Sequence, residues 1–184
     1  MSHLRTFAPW ITYAAASSIV DWRLGALLAL GVAAAELLRQ RREHRNADAL
    51  TVATAAFFAG LAAVSVADPG TGLHRFTPAL SLAVLGVVAL ASLVRGEPFT
   101  LVIARRSTPP EVWDLPAFVT ANVAITRVWA ASFLATAAVC ALVLTVAPDA
   151  TGVWVAAEMV GFAVPVAYTD ARRKRARALL AAAA

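Results

Sequence analysis

Four polar side chains stand in or at the edge of otherwise apolar stretches: Glu36, Asn122, Arg127 and Glu158. An ionisable group in hydrocarbon is costly, so such residues are paired, snorkel to the interface or serve a function. Asn122, Thr126 and Arg127 fall at i, i+4 and i+5 and so nearly share one helical face. Arg127 reads first as an end-residue snorkelling to the surface, with Glu36 at a compatible depth as its candidate partner. Glu158 lies about two turns into the last apolar run. A proton or ion path needs a chain of such groups, and Glu158 is the only acid in mid-span. A structural hydrogen bond, or a pairing with Arg23, is therefore the favoured reading.

Catalytic patterns are absent from the sequence. His3, His44 and His74 fall on predicted opposite sides of a membrane, which gives no shared metal site. There is no HExxH, CxxC, GxSxG or glycine-rich phosphate loop. The single Cys140 sits in an apolar run and cannot form an intramolecular disulfide. These features predict no enzyme, no cofactor and no metal.

What must position the polar residues is a set of membrane spans. Of the 184 residues, 60% are hydrophobic and the mean hydropathy is +0.72, well above soluble chains. The apolar residues come in long runs, which predicts an all-α, polytopic transmembrane bundle in one membrane domain, residues 1–184. The runs fall at about 7–20, 24–38, 50–67, 76–94, 128–146 and 153–168. The first two are shorter than the roughly 20 residues of a straight span and are split by Asp21-Trp22-Arg23. Two short helices, with Trp10 and Trp22 near opposite interfaces, fit better than one long one. A shallow first helix is the alternative, so the count is five or six. Asp68-Pro-Gly and Pro148-Asp149 supply turns, and Pro165 predicts a kink. The start MSHLRTF has no clear small-residue cleavage site after it, so no cleavable leader is predicted.

Charge placement sets the orientation. One set of loops holds Arg5, the cluster 39–45, Arg95, Arg105, Arg106, Arg127 and the tail 170–184; the other holds only Arg23 and Arg75. An excess of Lys and Arg marks the cytoplasmic side, which predicts both termini inside. The RRKRAR tail then reads as a topology determinant in contact with anionic lipids, not as a nucleic-acid site.

Between the fourth and fifth runs lies a connector, 95–127. Its segment Pro98–Arg106 suits a short interfacial helix, with Arg105 and Arg106 at anionic headgroups. Thr108-Pro-Pro-Glu111 reads as a capped helix start, Thr108 serving as N-cap. Trp113 fits an interface, and Asp114-Leu-Pro116 starts a helix that can run unbroken to Val146. A membrane-anchored connector and a partner-docking surface built on Arg105, Arg106, Trp113 and Asp114 are the two readings.

The chain resembles the intracellular septation protein A family of bacterial inner-membrane proteins. The resemblance rests on Phe7-Ala-Pro9, Ser18-Ile-Val-Asp21, Arg95-x-x-Pro98-Phe-Thr-Leu, Thr108-Pro-Pro-Glu-Val-Trp113, Asn122 and Trp129. The Ala- and Arg-rich composition suggests a high-GC, actinobacterial member. Two features depart from the better-known members: a longer stretch between Trp113 and Asn122, and Arg127 beside Trp129. The resemblance implies a non-enzymatic role in cell division, septation and envelope maintenance through contacts with other membrane proteins. The alternative is a small transporter or lipid-handling channel using Glu158, Asn122 and Arg127. Homo-oligomerisation is left open.

Overall fold

The computed structural model describes residues 8–43, 49–105 and 108–182, with side chains to residue 175. Seven α-helices occur among the described residues, and no strand. They are α1 (Ala8–Ile19), α2 (Trp22–Arg42), α3 (Ala49–Ala67), α4 (Thr77–Val94), α5 (Phe99–Arg105), α6 (Pro116–Val146) and α7 (Thr151–Ala182). Single 3-10 turns occupy Gly72–Phe76 and Pro110–Val112. The helices gather into two compact units, Met1–Thr77 and Pro78–Ala184.

Four helical segments are long and apolar enough to cross a membrane: Ala49–Ala67, Gly72–Val94, Pro116–Val146 and Thr151–Arg175. This makes the chain an all-helical protein suited to a membrane. The first two helices fall outside that set for different reasons. The 12 residues of α1 reach only about 18 Å. The 21 residues of α2 are long enough, but Arg23 loads one end and Glu36, Arg39, Arg41 and Arg42 the other.

In the first unit, α1 and α2 form a tight hairpin because Asp21 restarts the helix at once. Its backbone is extended (φ −160°) and its carboxylate accepts the Leu24 N–H at 2.8 Å. That bond to the orphan N–H holds the Asp21 carboxyl below its ordinary range. Gly25 lets the two helices touch: a Cβ there would sit 3.1 Å from the Ser17 nitrogen. The core sets the small residues Ala26 and Ala29 of α2 against Phe58, Leu61 and Ala62 of α3. Without water between helices, this close packing of small residues replaces the hydrophobic drive. Trp10 donates its indole N–H to Thr54 at 3.3 Å and stacks on Phe57 at 5.1 Å. Trp22 stacks on His74, ring centroids 5.1 Å apart.

In the second unit, α4 ends in a Schellman motif. Gly96 takes φ 73°, the Glu97 N–H reaches the Ser92 carbonyl at 3.1 Å, and the Gly96 N–H reaches that of Leu93 at 3.0 Å. α6 starts at Pro116, as expected, and runs unbroken for 31 residues. Gly86 of α4 meets the Leu134 side chain of α6 so closely that a Cβ would lie 2.6 Å from it.

The helix α7 passes through Pro165 without interruption and continues into the basic tail. Proline has no N–H, so the carbonyl four residues back, Gly161, loses its intrahelical donor. Ser132 of α6 supplies one, its hydroxyl donating to the Gly161 oxygen at 2.6 Å. The expected kink site is thus an interhelical joint.

Candidate functional site

The connector after α4 is folded onto α6. Three features seat α5. The Phe99 N–H donates to the Ser92 hydroxyl at 3.1 Å. The Thr100 hydroxyl reaches the Asn122 carbonyl at 2.9 Å and the Thr126 hydroxyl at 2.7 Å. Leu101 is buried beneath it. Asn122 and Thr126 are themselves buried, the Asn122 amide donating to the Phe118 carbonyl at 2.9 Å. The predicted shared face of Asn122 and Thr126 is real. Its role is to receive α5.

The Thr108-Pro-Pro-Glu111 segment departs from expectation. It forms only the 3-10 turn Pro110–Val112, with no side-chain cap. The Thr108 hydroxyl turns back to the Ala104 carbonyl at 2.8 Å instead of capping a new helix. Its own carbonyl accepts the Trp113 indole N–H at 3.0 Å. This fixes the half-buried Trp113 ring under Arg105, whose guanidinium carbon lies 5.6 Å from the ring centroid. Asp114 is exposed, as are Glu111 and Leu115 beside it. Arg106 lies outside the described residues, as do His3 and His44.

The other polar candidates are not gathered into one site. Arg127 is exposed and makes no hydrogen bond or ion pair among the described residues, which fits a snorkelling side chain. Glu36 does not wait for it: Arg39, one turn on, takes its carboxylate through Nε at 2.9 Å, and Gln40 adds a bond at 3.2 Å. Glu43 also pairs with Arg39, so two carboxylates hold that guanidinium even more firmly charged than usual. Arg23, the other proposed partner, is bound to Asp21 at 3.2 Å.

Glu158 sits on the α7 stripe that faces α6, together with Trp154, Gly161 and Pro165. It is half-buried and has no hydrogen bond or ion pair among the described residues. The structural bond expected for it is not there, because the neighbouring groups of α6 are engaged elsewhere. Cys140 points its thiol at the Trp154 carbonyl (3.7 Å) and Thr145 bonds within its own helix (2.7 Å). Since Cys140 marks its depth, Glu158 is about 27 Å along α6 from Asn122. Glu158 and Asn122 therefore do not share one local cluster.

Sequence reasoning missed the hydroxyl residues Ser92, Thr100 and Ser132, which tie segments together. The signal for Ser132 was present: Pro165 orphans Gly161, and a donor at matching depth had to be found. Against this geometry, no family model matches the chain, and no curated protein or solved structure matches it either.

Proposed function

We propose that the chain is a non-enzymatic protein of the bacterial cytoplasmic membrane that assists cell division, septation and envelope maintenance through contacts with other membrane proteins. The observation that carries this reading is the ordered connector. A mere linker has no need of the bonds that seat Thr100 on α6 and fix Trp113 under Arg105. Around that clamp, Glu111, Asp114 and the half-exposed Leu115 (50%) form an outward edge. The residues shared with the intracellular septation protein A family support the same role.

Lys and Arg placement puts the connector and both termini in the cytoplasm. In this arrangement α2 is a fifth crossing, about 31 Å long, with its Arg39 cluster at the inner surface. The α1 helix lies beside it as a shorter sixth segment entering from the N-terminal side.

The test is gentle affinity purification of the tagged protein from its own membranes, with Trp113→Ala and Asp114→Lys alongside. Enrichment of division or wall-synthesis membrane proteins in the wild type alone supports the reading. Equal recovery with the variants overturns the assignment of the surface.

A small transporter or lipid-handling channel is the second reading, favoured by the unpartnered Glu158 inside a span. Glu158→Gln should then abolish a pH-dependent flux in proteoliposomes. No flux in the wild type removes this alternative.

A further inference from the structure

We propose that Arg105 is a binding site for the phosphate group of an anionic membrane lipid. This deepens the reading of the connector as a cytoplasmic interfacial segment and rests on it. Three observations on α5 lead there.

First, the guanidinium has no countercharge. No carboxylate pairs with Arg105 among the described residues, although Glu111 and Asp114 are close in sequence. Its Nε is shielded from solvent and has no hydrogen-bond acceptor. A cation partly withdrawn from water with no acceptor is costly unless something outside the chain compensates it. With Nε shielded, the two Nη groups form the free edge, a planar fork that matches two phosphate oxygens.

Second, the side chain is held before any ligand arrives. Trp113 backs it at 5.6 Å, and the Trp113 ring is itself fixed by the bond to the Thr108 carbonyl at 3.0 Å. Arg side chains carry large rotamer entropy, so this restraint lowers the cost of ordering on binding.

Third, the depth is that of headgroups. The short helix begins five residues after the apolar span that ends at Val94, buries Leu101 against the protein and leaves Val102 and Ile103 half-covered beside Arg105, the pattern of an interfacial helix whose cation lies at the phosphate layer. Arg127, by contrast, is an exposed cation with no aromatic backing and serves as the control.

The purified full-length protein in mild detergent would be titrated with phosphatidylglycerol, phosphatidylcholine or inorganic phosphate and read by native mass spectrometry. The wild type should prefer phosphatidylglycerol. Arg105→Ala should weaken that binding about tenfold without changing phosphatidylcholine, and Arg105→Lys, which keeps charge but loses the fork, should weaken it about threefold. Arg127→Ala should bind as the wild type does. Should Arg105→Ala prove unfoldable, Arg105→Lys carries the test, and an unchanged affinity there overturns the proposal. An equal loss in Arg127→Ala overturns it too, since general charge then explains the binding. Saturation by inorganic phosphate at the same concentrations makes the source a soluble phosphate and refutes the lipid assignment. The assay contains no protein partner. Partner loss in Arg105→Ala with lipid binding intact would therefore sink this site while leaving the docking role standing.

Discussion

Ser132 and Pro165 make the sharpest test of how the second unit is held together. Pro165 deprives the Gly161 carbonyl of its helical donor, and the Ser132 hydroxyl replaces it at 2.6 Å. In hydrocarbon no water stands ready to take over, so Ser132→Ala strands a carbonyl. Side-chain hydrogen bonds between membrane helices average about 0.6 kcal/mol and reach about 1.7. This acceptor has lost its other partner, which places the expected cost near the upper figure, about 1.5 kcal/mol. Replacing Pro165 by Ala restores an N–H at i+4 and closes the helical bond. In that background Ser132→Ala should cost about 0.3 kcal/mol or less, the worth of a redundant donor. The comparison requires four proteins: wild type, both single variants and the double variant. Reversible unfolding in mixed micelles would give each stability. The packing loss from removing the buried proline ring cancels in the cycle, leaving a coupling of about 1.2 kcal/mol. Additivity within about 0.3 kcal/mol would refute the compensation argument, because Ser132 would then be stabilising something other than the orphaned carbonyl.

Three further outcomes follow from the packing and capping. A Cβ on Gly161 would collide with the Thr136 Oγ1 and meet its Cβ at 2.9 Å, so Gly161→Ala should destabilise the α6–α7 pair by about 1–3 kcal/mol, readable in the same unfolding assay. Gly96 sits at φ 73°, where an L side chain is strained; Gly96→Ala should cost about 1–2 kcal/mol and lower the melting temperature. The Asp21 carboxyl is held below its ordinary 3.8 by the helix-capping bond, so its contribution is present above pH 3.8 and lost as pH falls through the lower folded value. Melting curves from pH 6 downward should therefore show a steeper acid loss for the wild type than for Asp21→Asn.

The last four spans were legible because long apolar runs admit one reading in a membrane, whereas the short runs 7–20 and 24–38 left two readings open. The expected 50–67 and 76–94 differ from α3 and α4 by a single residue at one end. The unbroken helix from Pro116 to Val146 was also readable, since nothing inside it breaks a helix. What escaped was which face meets which neighbour. These helices are apolar nearly all round, so periodicity does not mark the packed side. The choice of Gly161 by Ser132 depends on where helices lie, which one sequence does not give, whereas the pairing of Glu36 with Arg39 is an i,i+3 contact that the sequence offered. Thr108 misled for a local reason: a hydroxyl can cap forward or bond back to i−4, and here the α5 end offered the carbonyl. The secondary structure of the tail was left open. Its Ala- and Arg-rich sequence was read as a charged terminus, yet those are strong helix formers and simply prolong α7 to Ala182.

That prolongation turns the last helix into a lever. Beyond Thr169 the rod runs about 20 Å, with Arg172, Arg173, Lys174 and Arg175 spread along its first half. Two side-chain bonds hold α7 to α6 below that arm, Ser132 to the Gly161 carbonyl at 2.6 Å and the Trp129 indole N–H to the Thr169 hydroxyl at 3.2 Å, and the second is the fulcrum. A tilt of about 10° there would sweep the far end by about 3 Å over a rod of that length. Bilayer thickness or lateral pressure, which set the tilt of a span, would thus be transmitted as displacement of a positively charged arm.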